Sequence, residues 1–329
     1  MAPARMKRRE FITLIGGAAA PSLLWPRAAR AQQGERTRRI GVLVPLPAVI
    51  WSPFFEELAR QGFIEGQNLA VDRRGFDASY DRFSAIVAQL VSGNPDAILC
   101  GGDAPIRAAQ AATSAIPIVA ITDDMVGAGL VRSLAHPGGN TTGVSILAAD
   151  LDGKRQEVLM DFLPAARHLA ALSDTQNNTP AQLEALLDGA RSRGVELSIH
   201  RVERSEKIVP ALDAAKAGGA TALNVLASPL LHGNRRTIIT RTLELRLPAI
   251  YQWPDTAKEG GLLGYGPRFP EVFRLLARQV ARTLRGANPA DLPVEQPTKF
   301  ELAVNERTAK AIGIHFDATL LARADEVIE

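Results

Sequence analysis

Short apolar runs alternate with amphipathic stretches along most of this chain, and the alternation occurs twice. The run 39–45 (Arg-Ile-Gly-Val-Leu-Val-Pro) reads as a buried strand ended by proline. Helical spacing over 53–62 puts Phe54, Phe55, Leu58 and Ala59 on one face. The segment 68–74 alternates as a second strand, and 80–92 repeats Phe83, Ile86, Val87, Leu90 and Val91 as a helix does. A third strand over 96–100 enters Gly101-Gly102-Asp103, followed by helix 105–113, strand 116–121 and helix 127–134. A turn at Pro137-Gly138-Gly139-Asn140 precedes strand 142–146.

The second round has strands at 168–173, 195–202, 222–226, 248–252 and 261–265. Helices at 180–193, 205–217 and 234–245 separate them. A helix at 271–285 leads through 299–304 to a closing helix at 306–312. Strands alternating with helices of this length predict parallel sheets covered on both faces. The expected fold class is therefore α/β, with two doubly wound parallel-sheet lobes joined by a hinge. Ligands in such sheets sit beyond the carboxyl ends of the strands, so two facing lobes predict a cleft that closes on a small molecule.

The first thirty-one residues follow different rules. Lys7-Arg8-Arg9 precedes an apolar stretch from Phe11 to Trp25, and Ala29-Arg30-Ala31 offers a small-residue cleavage pattern. Arg8-Arg9 before Glu10-Phe11-Ile12 resembles a bacterial twin-arginine address; a general secretory signal or a membrane anchor are the alternatives. The expected organisation is a cleavable signal over 1–31, a polar linker over 32–38, one lobe from 39–145 with 267–290, and a second from 146–266 with 291–329.

This division changes the charge. The whole chain of 329 residues carries 38 basic and 35 acidic groups, a net of +3 that hints at polyanion partners. Six of the basic groups and one acid fall within 1–31, leaving 32 against 34, a net of −2. No basic footprint for nucleic acid survives. The chain has one cysteine, Cys100, so no intramolecular disulfide is expected, and no apolar run of 18 residues follows the signal. The exported product is expected to be soluble and periplasmic.

No phosphate-binding loop, dinucleotide fingerprint or nucleophile elbow occurs. The five histidines are far apart, without partners at metal-ligand spacing. No metal or cofactor is expected, and catalytic residues are not assigned.

Candidate ligand contacts come from the loops after strands: Trp51, Gly102, Asp103, Thr122, Asp123, Asp174, Ser228, Tyr251, Trp253 and Tyr265. Aromatic residues make up only 5% of the chain, yet four of them fall in or beside these loops. They bring apolar area with a polar handle to a cleft, or they pack beneath proline-flanked loops. Gly101-Gly102-Asp103-Ala104-Pro105 offers an anion seat at a helix start, with Asp103 equally suited to capping. Asp123, Asp124 and Asp174 add negative charge, suited to an ammonium group or to helix capping.

Three blocks carry a family likeness. They are 129–145, holding Gly-Leu-Val-Arg-Ser-Leu-Ala and Pro-Gly-Gly-Asn-Thr-Thr-Gly-Val-Ser; 291–302, Asp-Leu-Pro-Val-Glu-Gln-Pro-Thr-Lys-Phe-Glu-Leu; and 321–328, Leu-Ala-Arg-Ala-Asp-Glu-Val-Ile. From about Arg39 onward the chain resembles the ABC transporter substrate-binding proteins of the TrpX-like family. The resemblance implies a type 1 periplasmic-binding-protein fold with three chain crossings and a ligand in the hinge cleft. It also implies delivery of a small molecule, in some members an aromatic amino acid, to a membrane permease powered by a separate ATPase. The blocks near Pro137 and Pro293 are expected to serve crossings and lobe packing. A periplasmic α/β enzyme and a ligand sensor are the alternatives using the same cleft.

Overall fold

The structure, a computed structural model, describes residues 36–44, 51–75 and 80–329. The expected export segment lies outside the described residues, as does the loop 45–50. Strand β1 (Arg38–Leu43) forms where polar residues give way to an apolar run, and its last four residues are buried. There follow α1 (Ser52–Arg60), β2 (Leu69–Gly75), a 3-10 turn at Tyr80–Arg82, α2 (Phe83–Ser92), β3 (Ala97–Gly101), α3 (Asp103–Ala112), β4 (Ile118–Thr122) and β5 (Thr141–Ser145). Among the described residues these strands make a parallel sheet in the order β2-β1-β3-β4-β5. Every residue of β3, β4 and β5 is buried, as a parallel sheet covered on both faces requires.

The second lobe begins with α4 (Ala148–Phe162), then β6 (His168–Asp174), α5 (Pro180–Ser192), β7 (Glu196–Val202), α6 (Ile208–Ala217), β8 (Ala222–Val225), α7 (Pro229–Gly233), α8 (Arg235–Glu244), β9 (Ala249–Tyr251), α9 (Asp255–Lys258) and β10 (Leu263–Gly266). The chain continues through α10 (Phe269–Leu284), β11 (Glu301–Asn305), α11 (Glu306–Ala311), α12 (Ala318–Leu321) and β12 (Glu326–Ile328). The second sheet has the order β12-β11-β10-β9-β8-β6-β7. Its pairings are parallel except β10 with β11, which run antiparallel.

Helix α10 is the element that leaves its sequence neighbours. Its Val272, Phe273, Leu276, Ala277, Val280 and Leu284 pack with Ile40, Val42, Leu99 and Val119 of the first sheet. Phe83, Ile86 and Leu90 of α2 and Ile106 of α3 cover the opposite face over Ile98, Cys100 and Ile118. The chain thus passes between sheets after β5, before α10 and before β11. The first passage contains Leu147 at φ 57°, a left-handed turn that a leucine adopts at a cost of about 1–2 kcal/mol.

The blocks near Pro137 and Pro293 pack on each other. Gly138 N donates to Ala290 O at 3.2 Å, Val294 N to Leu134 O at 2.8 Å, and Glu295 N to Gly143 O at 2.9 Å. Ser145 N returns a bond to Glu295 O at 2.9 Å. Residues 291–295 therefore lie along the first sheet, and the chain leaves that lobe later than the expected boundary after 290.

One local expectation fails and one helix goes unexpected, both for identifiable reasons. The stretch 127–134 is a series of turns: Asp124 Oδ1 accepts from Val126 N and Gly127 N at 3.1 and 2.9 Å, and Gly129 takes φ 67°. A carboxylate that binds its own backbone, with two glycines following, competes with a helix. Helix α4 was not expected, because the polar Asp152, Arg155 and Gln156 are buried and interrupt the apolar face that its exposed Asp150, Lys154 and Glu157 would otherwise set off. Among the described residues, no helix is long and apolar enough to cross a membrane.

Candidate functional site

In a doubly wound sheet the chain turns opposite ways from the middle strands, which opens a crevice at their carboxyl ends. Here that switch falls between β1 and β3 in one sheet and between β6 and β8 in the other. A cavity with about 470 Å³ of empty volume, counting the part open to solvent, lies at both places at once. The first lobe supplies Trp51, Gly101, Gly102, Ile121, Thr122, Asp123 and Ile146; the second supplies Asn177, Ser228, Pro229, His232, Gln252 and Trp253. Phe269 and Phe273, one turn apart on α10, close the floor.

The aromatic wall is a continuous packed array. Trp51 meets Phe273 edge-on with centroids 4.5 Å apart, and Trp253 meets Phe269 edge-on at 5.0 Å. Phe269 and Phe273 stack at 4.1 Å, and His232 stacks on Phe269 at 5.0 Å. Desolvation in this wall, aided by the charge of Arg235, drives the His232 imidazole down to about 3, so the ring is neutral at physiological pH. The Trp253 indole N–H is buried and has no hydrogen-bond partner among the described residues.

The polar groups form a chain across the cleft. Thr122 Oγ1 donates to Asp103 Oδ1 within the first lobe. Asn177 Nδ2, from the turn after β6, donates across to Asp123 Oδ2 and to Ala227 O at 3.3 Å. Burial, reinforced by the nearby charges of Asp152 and Asp103, holds the Asp123 carboxyl well above its ordinary range. Burial also raises Asp103, against the opposing hydrogen bond from Thr122. The two lobes touch directly beside this link: a Cβ on Gly102 would lie 3.1 Å from Pro229 Cγ.

A buried scaffold fixes the second-lobe loop. Ser228 Oγ donates to Asp174 Oδ2 at 2.9 Å and accepts from Leu231 N at 3.0 Å, capping α7. Asn178 Nδ2 reaches Ala227 O at 3.1 Å. Asp152 of α4 accepts from Ala227 N at 3.1 Å and from Gln182 Nε2 at 2.6 Å. Arg155, with a fully buried side chain, donates to Asp152 Oδ1 and to Tyr265 O at 3.1 Å.

Trp51, Gly102, Thr122, Asp123, Ser228 and Trp253 line the cavity; the other four expected residues do not. Asp103 stands behind Thr122. Asp174 orients Ser228 and accepts from Gln176 N at 2.9 Å. Tyr251 is buried in the second-lobe core, its hydroxyl 3.1 Å from Thr242 Oγ1, because its place on β9 turns it to the face beneath α6 and α8. Tyr265 packs against the other face of the same sheet and offers Arg155 its carbonyl. Among the lining residues, sequence reasoning missed Asn177, His232, Gln252, Phe269 and Phe273. Asn177 and Gln252 carried a signal, since both fall in loops after strands. Phe269 and Phe273 carried none, because apolar spacing on a helix does not say whether the face meets a core or a cavity.

Comparison with known proteins agrees with this geometry. The sequence profile of the family described as ABC transporter substrate binding protein matches residues 45–328. A tyrosine-binding protein of Clostridioides difficile is 27% identical over 263 residues, covering 79% of this chain and 75% of that protein. A conserved domain protein from Vibrio cholerae superposes with a TM-score of 0.81 at 23% identity, covering 89% of this chain and all of that one. The ABC domain from Streptococcus pneumonia in complex with L-Trp superposes with a TM-score of 0.78 at 22% identity and the same coverage.

Proposed function

The chain belongs to the ABC transporter substrate-binding protein family, and from that premise we propose that it is the exported solute-binding component of an importer. In this reading the two lobes close on a small aromatic solute and present it to a membrane permease driven by a separate ATPase. The observation that carries it is the cavity itself: it opens at the switch points of both sheets and is walled by Trp51, Trp253, Phe269 and Phe273. Its two sides are already linked through Asn177 and Asp123.

Flat apolar walls from both lobes give an aromatic ring its largest burial when the lobes meet. The unpartnered Trp253 N–H supplies a donor for an acceptor on the solute, and an unmet buried donor costs about 1–3 kcal/mol. The tyrosine-binding relative and the neighbour holding L-Trp support an aromatic ligand. Binding without chemistry also fits the hydroxyls. Ser228 donates to Asp174 and Thr122 to Asp103, so neither is engaged by a histidine base. Residues 1–31, with Arg8-Arg9 and Ala29-Arg30-Ala31, support export to the periplasm by the twin-arginine route.

A thermal-shift screen of the purified protein over amino acids, aromatic acids and nitrogen heterocycles tests the reading. A solute present at 100 times its dissociation constant stabilises the protein by about 2.7 kcal/mol, and the same solute should be recovered unchanged. Turnover of that solute would mean an enzyme.

A further inference from the structure

We infer that the solute is an aromatic amine of net positive charge, a ring carrying a protonated amine without a carboxylate; this rests on the proposed binding function and names its ligand class. The balance of charge in the cavity is the reason. Asp123 is the only acidic side chain lining it, and no lysine or arginine lines it among the described residues. The nearby guanidinium groups are engaged elsewhere. Arg155 is fully buried on Asp152 and Tyr265 O, Arg235 holds Glu259 at 2.9 and 3.0 Å, and Arg107 donates to Ala128 O.

Helix starts do not replace the missing cation. Helix α3 opens at the cavity rim, but Asp103 occupies its first turn and sets a carboxylate where an anion would dock. The hydroxyl of Ser228 already caps α7. In α1, beside Trp51, Pro53 removes one N–H from the first turn. A zwitterionic ligand would therefore find no formal positive charge in the lining to meet its carboxylate.

A cation finds the opposite. Asp123 Oδ2 accepts from Asn177, while among the described residues nothing donates to Oδ1. The wall is aromatic, with Trp51 and Trp253 contributed from opposite lobes, and the face of an indole attracts an ammonium group and repels a carboxylate. The groups that face Asp123 are Asp103 from α3, Asp152 and Arg155 from α4, and Asn177 after β6; His232, also in the cavity wall, is neutral. Asp103 and Asp152 are both raised in the same direction as Asp123. Because burial holds the Asp123 proton, an arriving ammonium must displace it. Affinity should then rise with pH, by up to about tenfold per unit, until Asp123 is ionised in the free protein.

Calorimetric titration with three compounds sharing one ring tests this: tyramine, tyrosine and 4-hydroxyphenylacetate, each on the full protein and on Asp123→Asn. Tyramine should bind at least tenfold more tightly than tyrosine, and 4-hydroxyphenylacetate most weakly, with proton release on tyramine binding. Asp123→Asn should cost tyramine about tenfold to hundredfold and abolish the pH slope. The ranking on the wild-type protein stands even if the variant folds poorly. Tighter binding of tyrosine or the acid overturns the inference while the binding function stands. If none of the three binds and the wider screen finds no ligand, both fall.

Discussion

Asp123 shows what a ligand site costs the protein that carries it. Its carboxyl is buried between Asp103 and Asp152, so the folded chain holds its proton more tightly than the unfolded chain does. Such a group favours folding fully only below the ordinary aspartate value of about 3.9, and that contribution is lost as pH rises towards its folded value. Asp123→Asn keeps an acceptor for Asn177 and removes the charge. It should raise the melting temperature of the ligand-free protein near neutral pH, with the gain fading as pH falls towards 4; melting curves across that range check it. No sequence signal separates this aspartate, which follows β4, from Asp174, which ends β6, is fully buried and orients Ser228. Strand position was readable for both, and tertiary neighbours alone made one a cavity group and the other a scaffold.

At the scale of elements, α4 does the least visible work. It lays Asp152 and Arg155 into the second lobe, where neither side chain is exposed, and holds Ala227 immediately before Ser228. Removing one member of a buried pair leaves an uncompensated charge, a loss of about 3–5 kcal/mol. Arg155→Met should lower unfolding free energy by that amount in urea titration. A surface pair such as Lys154 with Glu157, both about half exposed, should cost under about 1 kcal/mol when broken. Most strands and the amphipathic helices α1, α2, α5 and α10 were legible, because one polar face remains to mark the period. Helix α4 was not, because Asp152, Arg155 and Gln156 place polar residues on its buried face and blur that mark. The turns at 127–134 misled in the other direction, since Asp124 and two glycines outweighed a helical pattern.

Across the whole molecule, one of the places where the lobes touch is Gly102 against Pro229. Gly102 has φ 90° and ψ 158°, a backbone region that essentially only glycine occupies. A methyl group there would strain the turn and press on Pro229 across the cleft. Gly102→Ala should hold the lobes apart. In small-angle scattering with ligand present, the variant should keep a larger radius of gyration than the wild type, and its ligand affinity should fall about tenfold. Equal radii and equal affinity would show that the lobes close without this contact.

The sequence by itself determined the two rounds of strand and helix, and with them the α/β class and the general place of a site after the strands. These follow from local periodicity and from glycine and proline, which act within a few residues of themselves. Only the tertiary structure decided which loops face each other. It turned Tyr251 and Tyr265 into packing groups, and brought Phe269 and Phe273 beneath Trp51 and Trp253. It also set carboxylates from twenty residues before Asp123 and from well beyond it on the other side next to that group. Such meetings depend on how sheets twist and pack, and on which buried charges then share a low-dielectric space, and neither leaves a mark in the local pattern of residues.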